Sequence, residues 1–136
     1  MSDAGIRILL IEDSPLQARL IEEMLSEVQS ARYHLEWADR LSKGLERLRG
    51  GRVDLVLLDL TLPDSWGLDT FIRLRAAHPA LPVVVLTGAG DEKVFREAGR
   101  RGAQGCMVKD QLNSASLDRC IRTALARRRR SGDTGG

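Results

Sequence analysis

Five residues in this sequence are of types that could share one reaction: Glu12, Asp13, Asp59, Thr87 and Lys109. Three carboxylates packed close together repel one another and tend to hold protons, and a divalent cation removes that repulsion. Mg²⁺ favours one or two protein carboxylates together with water and a phosphate oxygen. With a cation present, Asp59 can stay ionised and attack phosphorus, while the hydroxyl and the ammonium neutralise phosphoryl oxygens. These residue types therefore indicate phosphoryl transfer to an aspartate.

The reaction requires the five residues to lie together, and the elements before them predict that they do. Each residue or pair follows a short run with the character of a strand in a parallel sheet. The carboxyl ends of parallel strands meet at one edge of a doubly wound sheet, where ligands bind. The alternating segment Tyr33–Trp37 is predicted to be an outer strand that ends too far away to contribute. The strands that position the site are predicted at Arg7–Ile11, Val53–Leu58, Val83–Leu86 and Gln104–Val108.

Helical patterns lie between the predicted strands. The segment from Ser14 to Gln17 has the features of a helix start, with an N-cap serine, a proline and a capping-box glutamine. The apolar face expected for this helix comprises Leu16, Leu20, Met24, Leu25 and Val28. Further helices are predicted around Leu41–Leu48, Leu68–Leu74, Val94–Ala98 and Leu117–Leu125. Five βα units of this kind favour an α/β fold with right-handed crossovers and a doubly wound parallel sheet.

Length and composition favour one soluble domain. The chain has 136 residues, of which 43% are apolar and 29% charged, a globular balance. No apolar run is long enough to span a bilayer, and the first residues lack the pattern of a secretion signal. Two cysteines exclude a disulfide scaffold and are compatible with the cytoplasm, where we expect the protein. The net charge of +2 includes the basic run 127–130, so direct nucleic-acid binding is not expected.

Five motifs in chain order resemble the receiver domain of two-component response regulators, the CheY-like family. They are ILLIEDSP, VLLDLTLPDSWGLD, VVVLTGAGDE, GRRGA and MVKD. The resemblance covers residues 5–128, and residues 129–136 are expected to be a disordered basic and glycine-rich tail. It implies a flavodoxin-like (βα)5 sandwich whose five parallel strands stand in the order 2-1-3-4-5.

The resemblance also assigns roles to single residues. Asp59 would be the phosphoacceptor, and Mg²⁺ would be held by Glu12, Asp13, Asp59 and the backbone carbonyl of Thr61. Lys109 would bind the phosphoryl group, and Thr87 would move towards it after transfer.

The function implied is that of a switch in a two-component phosphorelay. The phosphodonor would be a sensor histidine kinase or a phosphotransfer protein. The switched surface would span about Glu92 to Arg127 and bind a downstream protein or a second copy of the chain in a homodimer. The protein would take part in its own phosphorylation and slow autodephosphorylation, and would not be a turnover enzyme.

Four positions depart from the family pattern or tune it. Cys106 occupies the place of an aromatic that often reports phosphorylation, and Asp110 replaces a common proline after the lysine. Transfer itself should survive both changes. Thr61 and Ala89 occupy the positions that tune hydrolysis, and neither side chain has a carboxylate or an amide to orient water. We therefore predict a long-lived phosphorylated state.

Several alternatives stay open at this stage. The chain could be a receiver module from a larger hybrid kinase or cyclic-dinucleotide signalling protein, or an aspartyl-phosphate phosphatase on a similar fold. The phosphatase would need an acid/base carboxylate where Thr61 stands. Trp66 could contact a partner or cover the third helix. Cys106 and Cys120 are expected to be core residues. The segment Gly88-Ala89-Gly90 is expected to be a mobile loop, with no nucleotide site.

Overall fold

The computed structural model describes residues 5–88 and 91–135, with side chains up to Arg127 in that range. Its main sheet has five parallel strands in the order β2-β1-β3-β4-β5. This order confirms the predicted doubly wound, flavodoxin-like sheet. The expectations for Ala89 and for a mobile loop at residues 88–90 involve residues 89–90, which lie outside the described residues. The strands are β1 (Ile6–Ile11), β2 (Tyr33–Ala38), β3 (Leu55–Asp59), β4 (Val83–Thr87) and β5 (Gly105–Val108).

Five helices cover the two faces of the sheet. Helices α1 and α5 pack on one face over Ile8 and Leu10, and α2, α3 and α4 pack on the other over Leu9 and Ile11. The strands β3 and β4 are buried along their whole length, because helices lie on both sides of them. The helices are α1 (Pro15–Glu27), α2 (Leu41–Leu48), α3 (Leu68–Ala77), α4 (Glu92–Arg100) and α5 (Ser114–Gly135).

The side chains of α5 are described up to Arg127, and the tail expected at residues 129–136 lies beyond them. Within the described residues, no helix combines the length and the apolar character needed to cross a membrane.

The apolar face predicted for α1 was wrong in its first half. Ser14 caps the helix as predicted, accepting a hydrogen bond from the Gln17 N–H at 3.2 Å. However, Leu16 is 69% and Leu20 41% exposed. At about 100° per residue, Leu16 lies on the opposite side of the helix from Leu25. The side that faces the sheet carries the buried residues Ala18, Ile21 and Leu25.

Candidate functional site

Strand register brings the predicted site residues to one edge of the sheet. Ile11 of β1 stands beside Leu58 of β3, so Glu12 follows next to Asp59. Asp59 is paired with Leu86 of β4, and Thr87 is the next residue of that strand. Thr87 is in turn paired with Val108, which precedes Lys109. The five strands of the main sheet are parallel, so their carboxyl ends lie on the same side.

Three carboxylates come together at this edge. Glu12, Asp13 and Asp59 each offer an oxygen, and these oxygens lie within 4.8 Å of one another. Glu12 is fully buried and Asp59 is 2% exposed, whereas Asp13 is exposed. The cluster therefore has two buried ligands and one that faces solvent, which is an arrangement open to a hydrated ion.

Lys109 lies between the two buried carboxylates. Its Nζ is 3.0 Å from Glu12 Oε1 and 3.0 Å from Asp59 Oδ2. Both contacts are ion pairs, and no other hydrogen-bond partner is found for either oxygen among the described residues. Two acceptors for one ammonium leave a net negative charge in a buried place, which is costly.

The pKa values of the cluster show the same imbalance. Burial, together with the adjacent carboxylate of Asp59, raises the pKa of Glu12 to about 7. Burial acts to lower the pKa of Lys109, but its contacts with Asp59 and Glu12 outweigh that effect and raise it. Both shifts have the direction expected for buried carboxylates that need more positive charge than one lysine supplies.

The remaining oxygens of the cluster are held by backbone N–H groups. The Ser14 N–H donates to Glu12 Oε2 at 3.1 Å, and the Thr61 N–H donates to Asp59 Oδ1 at 3.2 Å. These bonds leave Glu12 Oε1 and Asp59 Oδ2 to share the single ammonium of Lys109. Two buried carboxylate oxygens that share one positive charge, beside a third carboxylate, fit a small hard cation such as Mg²⁺.

Thr87 is buried beside the cluster and weakly engaged. Its hydroxyl donates to the Met107 carbonyl of β5 over 3.5 Å, at the long limit for such a bond. A hydroxyl held this loosely can turn to a stronger acceptor at little cost.

Asp64 is a residue of the site region that the sequence analysis missed. It lies in the loop after Asp59, between the two short strands of an antiparallel ribbon, Thr61–Leu62 and Ser65–Trp66. Its carboxylate accepts the N–H groups of Leu41 and Ser42 at 2.8 and 2.9 Å. It thereby caps α2, whose own N-cap residue makes no capping hydrogen bond with its side chain. No local capping signal predicts this, because the cap comes from a distant loop.

Replacing Asp64 by alanine is expected to lower the free energy of unfolding by about 1 kcal/mol, the usual value of a helix cap. Burial acts to raise the pKa of Asp64, but the N–H groups of Ser42 and Leu41 outweigh it and lower the pKa below 3.8. The difference between wild type and variant is therefore full above pH 3.8 and disappears as the pH falls through the lowered pKa. Urea unfolding at neutral pH measures the stability difference, and urea unfolding near pH 3 measures its loss. Asp64→Asn, which keeps one acceptor oxygen, should fall between them, and equal stability of all three proteins would contradict the cap.

Three further residues singled out in the sequence, Cys106, Cys120 and Trp66, lie outside the carboxylate cluster. Cys106 and Cys120 are half-buried free thiols that pack against the two cores, and burial raises the pKa of Cys106 to about 11. They are therefore core residues, as predicted. Trp66 is 75% exposed, so it does not serve as a buried cover over α3.

Comparison with known proteins identifies the family. Residues 8–121 match the sequence model of the response regulator receiver domain. The chain is 38% identical over 106 residues to the cell cycle transcriptional regulator CtrA of Caulobacter vibrioides, covering 76% of this chain and 44% of that protein. It is 30% identical over 105 residues to the transcriptional regulatory protein MalR of Bacillus subtilis, with the same coverage of 76% and 44%. The chain thus spans less than half the length of these relatives.

Solved structures agree with this match. NtrX from Brucella abortus superposes with a TM-score of 0.84 at 25% identity, covering 96% of this chain and 29% of that one. The signal receiver domain of an HD domain-containing protein from Pseudomonas fluorescens Pf-5 shares the fold, with a TM-score of 0.80 at 24% identity and coverage of 95% and 93%. The chain belongs to the response regulator receiver domain family. Its function is therefore that of a phosphoacceptor receiver in two-component signalling.

Proposed function

We propose that the chain accepts a phosphoryl group on Asp59 with Mg²⁺ bound by Glu12, Asp13, Asp59 and the Thr61 carbonyl. The observation that supports this most is the pair of buried oxygens on Glu12 and Asp59 that share one ammonium beside a third carboxylate. When bound, Mg²⁺ would supply positive charge to the carboxylates and to the phosphoryl oxygens. A magnesium-dependent receiver accounts for why three acids share one edge of the sheet.

The chain's own residues have separate tasks in the transfer. One carboxylate oxygen of Asp59 forms the new bond to phosphorus, while the bond from phosphorus to the donor nitrogen or oxygen breaks and the other Asp59 oxygen would be left to the cation. Lys109, whose Nζ is 3.0 Å from Asp59 Oδ2, neutralises the equatorial oxygens of the phosphoryl group. The loosely held Thr87 hydroxyl then turns from the Met107 carbonyl to the new phosphoryl oxygen. This movement is the local charge response that would shift the surface between two states.

The direct test is phosphate incorporation. Incubation with acetyl phosphate and Mg²⁺ should add one phosphoryl group, a mass increase of ~80 Da, and a chelator should prevent it. No increase with Mg²⁺ present would reject the proposal.

The phosphorylated protein is expected to be long-lived. Thr61 is exposed beside Asp59 and has no carboxylate or amide to orient water for attack on the acyl phosphate. After removal of acetyl phosphate, the added mass should therefore be lost with a half-life much longer than seconds. Thr61→Asn, which introduces an amide, should shorten the lifetime several-fold. A wild-type half-life of seconds in buffered Mg²⁺ would contradict the prediction.

The same position argues against a phosphatase. Turnover of an aspartyl phosphate needs an acid/base group near the nucleophile, and Thr61 supplies none. We therefore propose a protein that undergoes its own transfer and slow hydrolysis and does not turn over a substrate. The free thiols are consistent with action in the cytoplasm.

The phosphodonor is proposed to be a sensor histidine kinase or a phosphotransfer protein that docks on the first half of α1. Leu16 and Leu20 expose apolar surface on this helix, which begins three residues after Glu12. Exposed leucines beside a reactive site are typical of a surface that another protein covers.

Replacing Leu16 and Leu20 together by glutamate is expected to reduce transfer from the protein donor at least about tenfold, because two apolar contacts become charged. Phosphorylation by acetyl phosphate should be unchanged, since this small donor needs no docking surface. Ile72→Glu, the same kind of change at an exposed site on α3, is the matched control. Equal loss with both donors would contradict docking on α1.

The downstream partner is proposed to bind between α4 and α5, within the segment from about Glu92 to Arg127. A groove of about 550 Å³ lies there, floored by Cys106, Met107 and Cys120. Arg96 and Arg119 line it without an ion pair among the described residues. An apolar floor with unpaired arginines is a surface that suits a protein partner or a second copy of the chain.

A further inference from the structure

The outer strand β2 contacts the candidate metal site, although its end was expected to lie too far away. The Glu12 N–H donates to the Ala38 carbonyl at 3.0 Å. The indole N–H of Trp37 donates to the Glu12 carbonyl at 2.5 Å. Both backbone groups of Glu12 are therefore held by neighbouring residues of β2, one by its backbone and one by a side chain.

The carbonyl that Trp37 holds belongs to the peptide that joins Glu12 to Asp13. A peptide group is planar, so fixing its oxygen also fixes the plane that contains the Asp13 nitrogen and Cα. Asp13 has no other evident support, since within residues 5–88 and 91–127 its carboxylate has no hydrogen bond or ion pair. The position of this exposed ligand thus depends on the backbone beneath it.

Trp37 is 47% exposed, although it stands on a strand of the main sheet. A tryptophan placed mainly for core packing would be largely buried. Its one polar group is instead used on a backbone oxygen at the end of β1, where the chain leaves the sheet and turns into α1. This is the point at which a carbonyl has no ladder partner from β2 and needs a separate donor.

We infer that Trp37 is a positioning residue for the metal ligands, holding the Glu12–Asp13 peptide in the orientation that directs Asp13 to the cation. The inference rests on the proposed magnesium-dependent function. It gives β2 a role in the reaction that no motif in the sequence indicates.

The test separates the hydrogen bond from the ring. Trp37→Phe keeps an aromatic ring but removes the N–H, and it is expected to weaken Mg²⁺ binding about three- to tenfold, the value of one hydrogen bond. Calorimetric titration with MgCl₂ measures the affinity. At saturating Mg²⁺, the rate of phosphorylation by acetyl phosphate should return to that of wild type, because only the metal requirement has changed. Trp66→Phe is the matched control and should titrate like wild type.

A spectroscopic measurement keeps the inference testable if Trp37→Phe folds poorly. The chain has two tryptophans, so Trp66→Phe leaves Trp37 as the single reporter. Its emission should change on Mg²⁺ titration, and the added substitution Asp13→Asn should remove the change. If Trp37→Phe folds and binds Mg²⁺ with wild-type affinity, the inference is wrong. If Trp37→Phe cannot be measured, an emission of Trp66→Phe that does not change on Mg²⁺ titration would overturn it. If wild type itself neither binds Mg²⁺ nor accepts phosphate, the proposed function has failed instead.

Discussion

Replacing Asp59 by asparagine should abolish phosphorylation. Wild type treated with acetyl phosphate and Mg²⁺ should gain ~80 Da, and Asp59→Asn should gain nothing, because an amide is not a nucleophile towards phosphorus. Intact-mass spectrometry of both proteins gives the result.

The same substitution should stabilise the protein when Mg²⁺ is removed. In the wild type, two buried carboxylates share one ammonium, and Asp59→Asn leaves one carboxylate for one ammonium. We expect the free energy of unfolding in a chelator to rise by about 1–2 kcal/mol. Added Mg²⁺ should stabilise wild type more than the variant, because binding to the folded state favours it.

Asp69→Asn provides the control for both measurements. Asp69 is an exposed residue of α3, so the change removes a carboxylate of the same type without touching the cluster. This variant should gain ~80 Da like wild type. Its stability in the chelator should not rise, because Asp69 lies in the first turn of α3, where a negative charge is favourable. Phosphorylation of Asp59→Asn to the wild-type level would show that another residue is the acceptor.

Replacing Lys109 by methionine should slow phosphorylation by about 100-fold or more, the usual effect of losing a charged group that neutralises a transition state. Mg²⁺ binding should not weaken and should become tighter. The ammonium now lies 3.0 Å from Glu12 Oε1 and Asp59 Oδ2, the same two oxygens that are proposed to bind the cation. A positive charge at that place competes with the metal, so its removal favours metal binding.

This opposite effect on rate and on affinity distinguishes Lys109 from a metal ligand. Loss of a ligand would weaken Mg²⁺ binding and slow phosphorylation together, whereas loss of Lys109 should slow only the transfer. The rate is measured by intact mass over time at saturating Mg²⁺, and the affinity by calorimetric titration.

Lys109→Met should also destabilise the protein in a chelator by about 3 kcal/mol, because two buried carboxylates lose their counter-charge. Much of this loss should be recovered when Mg²⁺ is added. Lys93→Met changes an exposed lysine on α4 and should alter neither rate nor stability. A wild-type phosphorylation rate in Lys109→Met would contradict the role proposed for the ammonium.

The strand pattern followed from the residues, and the order of the sheet from the resemblance to receiver domains. Short apolar runs with polar residues at their ends are local features, and parallel strands place their carboxyl ends on one side. Once the strands were assigned, it therefore followed that Glu12, Asp13 and Asp59 lie at one edge of the sheet. The boundaries differed slightly, since β3 begins at Leu55 and not at Val53.

The buried side of α1 could not be chosen in the same way. The helix carries leucines on more than one side, and helical spacing alone does not say which side meets the sheet. Leu16 and Leu20 were placed in the apolar face, but the sheet selects the side of Ala18, Ile21 and Leu25. The choice follows from how α1 lies across β1 and β2, which is a property of the assembled layers.

The sequence by itself determined the elements, their order and which residue types stand at the strand ends, because these depend on neighbours a few positions apart. Only the tertiary structure decided that Lys109 lies between two carboxylates, that Asp64 caps α2 and that Trp37 holds the Glu12 carbonyl. Each of these contacts joins side chains to groups that are distant along the chain. Their partners are set by how helices and loops pack on the sheet, and no local pattern of residues encodes that packing.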